Sequence, residues 1–195
     1  MNEQPIGVEG VKLFPEVINQ HEAATLLDFI KGIEFRTIAM RGMIARRTVA
    51  CFGFDYVYRS RSVVDVAEIP EVLRAVKSRC AETAGVNDRF DQVIVSRYPA
   101  DAGIGWHTDS PVFGDAIMGL SLAAPAKLQL RPCGATRTSV SIDLPPGSLY
   151  VLDGPARWDW QHRVPPVRSE RYSLTFRIVR GVSETEARNQ KQGWR

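Results

Sequence analysis

From Gln92 onward the sequence is a succession of short β-rich segments, and this feature limits the possible folds more than any other. Each segment is rich in β-branched and aromatic residues, and Gly, Pro and Asp clusters separate the segments at hairpin-like spacing. The six clearest segments are QVIVSRY, AIMGLSL, AKLQLRP, TSVSIDL, SLYVLD and RYSLTFRIV. Short strands joined in this way favour an antiparallel β-sandwich or jelly roll.

Two helical patterns precede these strands. Residues 19–31 carry apolar side chains at helical spacing, with Asn19 suited to the N-cap and Gly32 to the end. Residues 70–83 show a similar stripe, with Pro70 suited to the first turn and Gly85 to a terminator. We therefore expect an α+β fold with a double-stranded β-helix (jelly-roll) core and N-terminal helices packed on one sheet.

The composition fits one compact domain. The chain has 195 residues, 44% of them hydrophobic, and a formal net charge of +3, which permits a polyanionic partner without requiring one. We expect the domain over residues 1–182, with its core over 90–180, and a polar tail over 183–195.

The cysteines and the apolar segments indicate in which cellular compartment the protein is expected. Cys51, Cys80 and Cys133 are odd in number and far apart, so neither a disulfide framework nor a CxxC metal site is expected. No segment approaches the roughly 20 apolar residues of a membrane span, and the N-terminus lacks a signal pattern. We expect a cytoplasmic protein without a membrane partner, and a monomer.

The sequence contains three histidines, and two of them are candidate metal ligands. His107 and Asp109 are two positions apart, so on a strand both side chains lie on one side of the backbone. With His162 they would occupy one face of an octahedral metal and leave three positions open, as in non-haem Fe(II) oxygenases. A surface hydrogen-bonding pair is the alternative interpretation of this His-x-Asp motif. We expect the remaining histidine, His21, to be solvated on the first helix.

The segment RYSLTFR alternates between polar and apolar side chains. The two predicted faces consist of Arg171, Ser173, Thr175 and Arg177 on one side and Tyr172, Leu174 and Phe176 on the other. Two inward arginines need anions, and a guanidinium matches a carboxylate through two parallel hydrogen bonds. A small dicarboxylate could therefore lie between them. The alternative is that both arginines lie on a solvent-facing edge.

Three segments together resemble the signatures of the AlkB-like 2-oxoglutarate and Fe(II)-dependent dioxygenases: SRYPADAGIGWHTD, GSLYVLDGPARWDWQHRV and RYSLTFR. The resemblance covers about residues 90–180 and follows the family's order. It implies that the cofactors are Fe(II) and 2-oxoglutarate, with O2 as the other cosubstrate. The metal ligands that it implies are His107, Asp109 and His162. The residues that it implies for the distal carboxylate of 2-oxoglutarate are Tyr98, Arg171 and Ser173, with Arg177 nearer the metal-chelating end.

Two departures from the family pattern concern the cosubstrate and the substrate. Ser96 stands where the family often has Asn, so its hydroxyl contributes a shorter hydrogen bond in the cosubstrate pocket. DNA-repair members commonly carry acidic residues just after the His-x-Asp motif, whereas this chain has Pro111, Val112 and Phe113. In this segment the chain is similar to members that act on tRNA or protein.

Residues 34–60 are the expected substrate lid. The segment RRTVACFGFDYVYR predicts one strand face of aromatic side chains beside arginines, which suits base stacking and phosphate contacts. The candidate substrate residues are Arg46, Arg47, Phe52, Phe54, Tyr56 and Tyr58. The alternative is that the aromatic side chains pack into the core. Trp158 and Trp160, near His162, could line the site or merely pack.

These features predict a dioxygenase that oxidatively demethylates an alkylated base of DNA or RNA, single-stranded or flipped out of a duplex. The products would be succinate, CO2 and formaldehyde. Three alternatives remain open: a hydroxylase or demethylase of tRNA or protein side chains, a non-catalytic jelly-roll binding module, and a zinc hydrolase. The zinc hydrolase leaves Arg171 unexplained, and the sequence lacks an HExxH motif.

Overall fold

The computed structural model describes residues 3–40, 43–57 and 62–180. The helices in these ranges are α1 (Gln20–Lys31), α2 (Glu71–Ala84) and α3 (Gly154–Trp158). The strands are β1 (Gln4–Pro5), β2 (Val11–Phe14), β3 (Arg36–Met40), β4 (Met43–Phe52), β5 (Phe54–Val57), β6 (Ser62–Asp65), β7 (Gln92–Tyr98), β8 (Ile104–His107), β9 (Phe113–Leu122), β10 (Ala126–Pro132), β11 (Val140–Leu144), β12 (Leu149–Leu152), β13 (Trp160–Val164) and β14 (Arg171–Val179). None of the three helices has the length and apolar character needed to span a bilayer.

Two antiparallel sheets and a short ribbon organise the strands. The major sheet has the order β1-β2-β12-β9-β14-β7-β4-β3, the minor sheet the order β11-β10-β13-β8, and β5 pairs with β6. One hydrophobic cluster joins α1 and α2 to the major sheet, and a second joins the two sheets. The mixed, mostly β composition that the sequence predicts is confirmed.

Both predicted helices are present with the predicted ends. Asn19 caps α1 in a capping box with Glu22, because each side chain accepts a hydrogen bond from the other's backbone N–H. Gly32 ends α1, and Gly85 ends α2 with a φ of 64°, a conformation that glycine adopts at little cost. The sequence pattern predicted Pro70 in the first turn of α2. It lies one position earlier, at the N-cap.

Strand β14 lies between β7 and β9 and matches the predicted segment at both ends. Leu174 and Phe176 are fully buried in the cluster that faces the helices. Arg171 and Arg177 belong to the opposite set, which lines a cavity between the sheets. The predicted division of β14 into an apolar and a polar face is therefore confirmed.

One uninterrupted aromatic strand over residues 52–58 was expected, and this prediction is wrong. Gly53 separates β4 from β5 with a φ of 76°, and a Cβ there would lie 2.0 Å from the carbonyl oxygen of Asp91. Phe52 consequently packs against the helix-side cluster, whereas Phe54 and Tyr56 pack against the cluster between the sheets. Tyr58 and the predicted tail over 183–195 lie outside the described residues.

Helix α3 was not predicted, and its Arg157 holds the loop that follows β8. Arg157 is buried, and its guanidinium donates to the carbonyl oxygens of Asp109 (3.2 Å), Ser110 (2.9 Å), Phe113 (3.2 Å) and Gly114 (3.2 Å). Buried carbonyl groups need donors, and one side chain here supplies four of them. The backbone of the His-x-Asp loop is thus anchored to α3.

We predict that Arg157→Gln lowers the free energy of unfolding by at least about 3 kcal/mol, measured by urea denaturation. A hydrogen bond to a charged group contributes about 1.5 to 3 kcal/mol, and glutamine cannot replace four of them. The matched control is Arg180→Gln, which removes an exposed ion pair with Asp115 and should cost no more than about 1 kcal/mol. Equal losses in the two variants would contradict the anchoring role of Arg157.

Candidate active site

Strands β8 and β13 bring the three predicted metal ligands together. His107 and His162 are directly paired across these strands, and their ring centroids are 4.3 Å apart. Asp109 follows β8, and its Oδ2 lies 3.5 Å from Nε2 of His162. The potential ligand atoms of the three residues all lie within 4.8 Å of one another. Asp109 and His162 are buried, so the cluster lies in the interior of the domain.

The protonation states of these side chains suit metal binding. Nδ1 of His107 lies 2.9 Å from the carbonyl oxygen of Gly105, which accepts only, so Nδ1 carries the proton and Nε2 keeps its lone pair. Burial lowers the pKa of His107 and lowers that of His162 to about 3. Both imidazoles are therefore neutral near pH 7, the state in which they bind metals.

Asp109 is held in its ionised form by Arg177. Burial acts to raise the pKa of Asp109, but nearby positive charge, above all the Arg177 guanidinium, outweighs it and holds this pKa well below its usual range. Arg177 Nη2 donates to Oδ1 of Asp109, while its guanidinium lies 4.5 Å from the centre of the Phe113 ring. Nε of Arg177 is buried without a hydrogen-bond partner in the described structure.

Arg171 is a buried cation without a neutralising carboxylate among the described residues. It is 1% exposed, and its Nε donates to Ser121 Oγ over 3.3 Å. Its Nη1 is buried and lacks a partner, and its guanidinium lies 5.0 Å from the centre of the Tyr98 ring. Leaving a buried charge unpaired costs several kcal/mol, so this arrangement calls for an anion in the adjoining space.

Arg47, predicted as a substrate residue, lies beside the predicted cosubstrate residues. Its Nη1 donates to Ser96 Oγ over 2.9 Å, and its guanidinium lies 5.7 Å from the centre of the Tyr98 ring. Burial acts to raise the pKa of Tyr98, but Arg47 and Arg171 outweigh this effect and lower it. Ser96 and Ser173 are buried and paired across β7 and β14.

A single cavity of about 490 Å³ connects these groups. The predicted metal and cosubstrate residues that line it are Ser96, Tyr98, His107, Asp109, His162, Arg171, Ser173 and Arg177. Tyr150 also lines the cavity, and its ring occupies the space of a Cβ at Gly119, where the nearest ring atom would be 2.2 Å away. Only glycine at position 119 leaves room for the Tyr150 ring.

The structure does not bring the predicted substrate residues together. Arg47 and Tyr56 line the cavity, and Tyr56 lies 5.7 Å from Phe113 between ring centroids. Arg46 is exposed on the opposite face of β4, because neighbouring strand residues alternate. Of the other predicted substrate residues, Phe52 and Phe54 pack in separate hydrophobic clusters. Tyr58 is not among the described residues.

Two polar groups of the cavity wall have no counterpart in the predicted site. Arg36 of β3 and Asp55 of β5 form an ion pair at the wall. Cys51 lies beside them, and burial, followed by Asp55, raises the pKa of its thiol to about 11. Nothing in the spacing of these residues along the chain indicates that they meet. Trp158 and Trp160 are not among the described residues that line the cavity.

A family model matches this chain over residues 10–177, and its description is 2OG-Fe(II) oxygenase superfamily. The matched range includes every metal and cosubstrate residue that the sequence predicted. The resemblance to AlkB-like dioxygenases is confirmed by this match together with the relatives of the chain.

Three relatives illustrate the similarity. The alkylated DNA repair protein ALKBH8 homolog of Arabidopsis thaliana is 24% identical over 90% of this chain and 60% of its own length. The human alpha-ketoglutarate-dependent dioxygenase alkB homolog 3 is 28% identical over 90% of this chain and 68% of its own length. A mouse relative named tRNA (carboxymethyluridine(34)-5-O)-methyltransferase ALKBH8 is 27% identical, but the match spans 27% of its length. The chain thus spans less than two thirds of the Arabidopsis and mouse proteins.

Solved structures share the fold. The structure of OsALKBH1 superposes with a TM-score of 0.69 and 21% identity, covering 91% of this chain and 100% of that chain. A 2OG-Fe(II) oxygenase family oxidoreductase from Burkholderia pseudomallei gives a TM-score of 0.61 and 16% identity, with 88% of each chain covered. The chain belongs to the 2OG-Fe(II) oxygenase superfamily and resembles its AlkB-like members.

Proposed function

We propose that the protein is an Fe(II)- and 2-oxoglutarate-dependent dioxygenase that removes an alkyl group from a nucleic-acid base. One observation carries the proposal: a His-Asp-His cluster, two of whose members are buried, shares its cavity with an unpaired buried arginine. A zinc hydrolase would need the cluster but not Arg171. A binding module for an acidic ligand would need Arg171 but not three convergent metal ligands.

His107, Asp109 and His162 would hold the metal. Two neutral imidazoles and one ionised carboxylate are the donor set of non-haem Fe(II) oxygenases, and they leave positions open for cosubstrate and oxygen. Arg177 orients the Asp109 carboxylate, and the Gly105 carbonyl fixes the tautomer of His107, as outer groups commonly do at metal sites.

The bound Fe(II) would supply oxidation of a substrate C–H bond by O2, with 2-oxoglutarate converted to succinate and CO2 and an N-methyl group lost as formaldehyde. The chain's own residues orient the reactants and exclude water. Asp109 and His162 are buried, which limits the contact of these two side chains with bulk water. No nucleophilic side chain is required by this chemistry.

The distal carboxylate of 2-oxoglutarate would bind at Arg171. The unpartnered Nη1 of Arg171 supplies a buried donor, and Tyr98 and Ser173 lie on the same cavity wall. Arg47 adds a second cation there and holds Ser96, so we place Arg47 with the cosubstrate rather than with a substrate phosphate. Ser96, at the position where the family often has asparagine, thus accepts a hydrogen bond from Arg47.

The substrate class rests on the relatives and on the lid. The names of the Arabidopsis and human relatives refer to DNA repair and to an alkB homolog, and the mouse relative's name refers to tRNA. Tyr56 lines the cavity and offers an aromatic face to a base. We therefore propose a base of single-stranded or flipped nucleic acid as the substrate, with tRNA as the second candidate.

The finer organisation belongs to the same proposal. The two facing sheets would be the halves of a double-stranded β-helix over residues 90–180, within one domain over residues 1–182 and covered by a lid over residues 34–60. The three cysteines are free, which agrees with a reducing cytoplasm. We propose a monomer that requires no membrane.

Anaerobic addition of Fe(II) and 2-oxoglutarate tests the proposal directly. A chelated complex gives a weak visible charge-transfer band, and subsequent O2 with methylated single-stranded DNA, RNA or tRNA should release formaldehyde. The nucleic acid that gives the most formaldehyde identifies the substrate class. Absence of the band in well-folded protein would overturn the metal and cosubstrate assignment.

We predict that His107→Ala, Asp109→Ala and His162→Ala each abolish the charge-transfer band and succinate release, because each removes one ligand of the facial set. Circular dichroism should confirm that the variants remain folded. The control is His21→Ala, which changes a histidine on α1 outside the cavity and should retain the band. Full succinate release by any one of the three ligand variants would show that the substituted residue is not a metal ligand.

We predict that Arg171→Gln raises the KM for 2-oxoglutarate by one to two orders of magnitude, since a charge-assisted hydrogen bond contributes about 1.5 to 3 kcal/mol. Arg171→Lys should restore binding only in part, because an ammonium cannot form two parallel bonds. Arg97→Gln, which removes an exposed ion pair with Glu170, is the matched control. An unchanged KM in Arg171→Gln would contradict the assignment.

The neighbouring residues Arg46 and Arg47 form a matched pair for a further prediction. Arg47→Gln should raise the KM for 2-oxoglutarate about tenfold, through loss of a charged hydrogen bond of about 1.5 kcal/mol. Arg46→Gln should leave that KM unchanged and weaken only oligonucleotide binding, measured by fluorescence anisotropy. If Arg47→Gln instead weakens only oligonucleotide binding, Arg47 binds the substrate rather than 2-oxoglutarate.

A further inference from the structure

The outer face of the minor sheet carries a cluster that the chemistry of the cavity does not use. Along β10 and β13, the residues that alternate with buried side chains point away from the core. The cluster, called here the arginine–tryptophan face, consists of Trp106, Gln129, Arg131, Gln161 and Arg163.

Two guanidinium groups meet at one indole ring in this face. The guanidinium carbon of Arg131 lies 4.3 Å from the centre of the Trp106 ring, and that of Arg163 lies 4.7 Å from it. Nε of Arg131 donates to Gln161 Oε1 over 2.9 Å, and Nε of Arg163 donates to Gln129 Oε1 over 2.7 Å. Each guanidinium is therefore held by both an aromatic ring and an amide.

The acceptors of these two arginines are all neutral. Besides the two glutamine oxygens, Arg131 Nη1 donates to the Thr136 carbonyl over 3.1 Å, and no described carboxylate pairs with either arginine. Some other surface arginines do have such partners: Arg36, Arg74, Arg79, Arg97 and Arg180 each form an ion pair. On the minor sheet itself, Lys127 is paired with Asp143. Two uncompensated positive charges thus lie within one small area.

The arginine–tryptophan face adjoins the cavity through Trp106. Trp106 lines the cavity and directly precedes His107, so the same strand carries a member of the face and a member of the ligand cluster. A ligand whose reactive group enters the cavity would extend past Trp106 toward Arg131 and Arg163.

We propose that the arginine–tryptophan face binds the phosphodiester backbone of the nucleic-acid strand that carries the target base. This inference rests on the proposed function and names an additional surface for its substrate. Stacking on Trp106 and the bonds to glutamine orient each guanidinium, which leaves Nη groups of Arg163 and Arg131 available to phosphate oxygens. Such contacts are independent of base identity and position the strand rather than select the base.

The test measures how tightly the parent protein and each variant bind a fluorescein-labelled single-stranded oligonucleotide of about 12 nucleotides. This length is within the range that single-strand modules bind. The logarithm of the binding constant falls as the logarithm of the salt concentration rises. For Arg131→Gln and Arg163→Gln, the slope of this dependence should become shallower by about 0.7 for each arginine removed. The KM for a methylated oligonucleotide should rise, whereas the KM for the methylated mononucleotide should not, because the mononucleotide lacks the flanking phosphates. Trp106→Phe should reduce the quenching of tryptophan fluorescence by the oligonucleotide.

Lys127→Gln is the matched control, since it removes a cation from the same sheet that is already paired. Its salt slope should equal that of the parent protein. Thermal unfolding confirms that each variant is folded. If the parent demethylates the oligonucleotide but the arginine variants keep its slope and KM, the inference fails while the proposed function stands. If the parent neither binds nor demethylates nucleic acid, both fail.

Discussion

The position of strand β14 between β7 and β9 determines how the rest of the molecule is arranged. Its apolar side chains complete the core under α1 and α2, so its polar side chains must point into the space between the sheets. Arg171 is consequently buried, and the domain tolerates this cation because the cavity beside it can admit an anion. The same alternation therefore produces both the core and the cavity wall that carries Arg171.

The ligand cluster depends on arginines in a different way. Arg177 pairs with the Asp109 carboxylate, while Arg157 holds the backbone carbonyl of Asp109 and the loop after it. One candidate metal ligand is thus fixed through its side chain and through its main chain by residues from two different elements. Such support matters because small displacements of a ligand change the geometry that a metal requires.

Much of this arrangement could be predicted because it depends on local patterns. The limits of β7, β10 and β14 follow from β-rich runs between turn residues, and the ends of α1 follow from Asn19 and Gly32. The pairing of His107 with Asp109 follows from strand spacing. The aromatic row failed as a prediction because the carbonyl of Asp91 lies against Gly53, a contact between segments distant in sequence.

By itself the sequence determined α1, α2, the six β-rich segments, the polar face of β14 and the family to which the chain belongs, because periodicity and motifs are properties of neighbouring residues. The tertiary structure decided which side chains meet across strands. It brought Arg47 into hydrogen bonding with Ser96, Arg157 into hydrogen bonding with the His-x-Asp loop, and two guanidinium groups against the Trp106 ring. These contacts join residues far apart along the chain, and their distances depend on sheet order and register, which no local pattern contains.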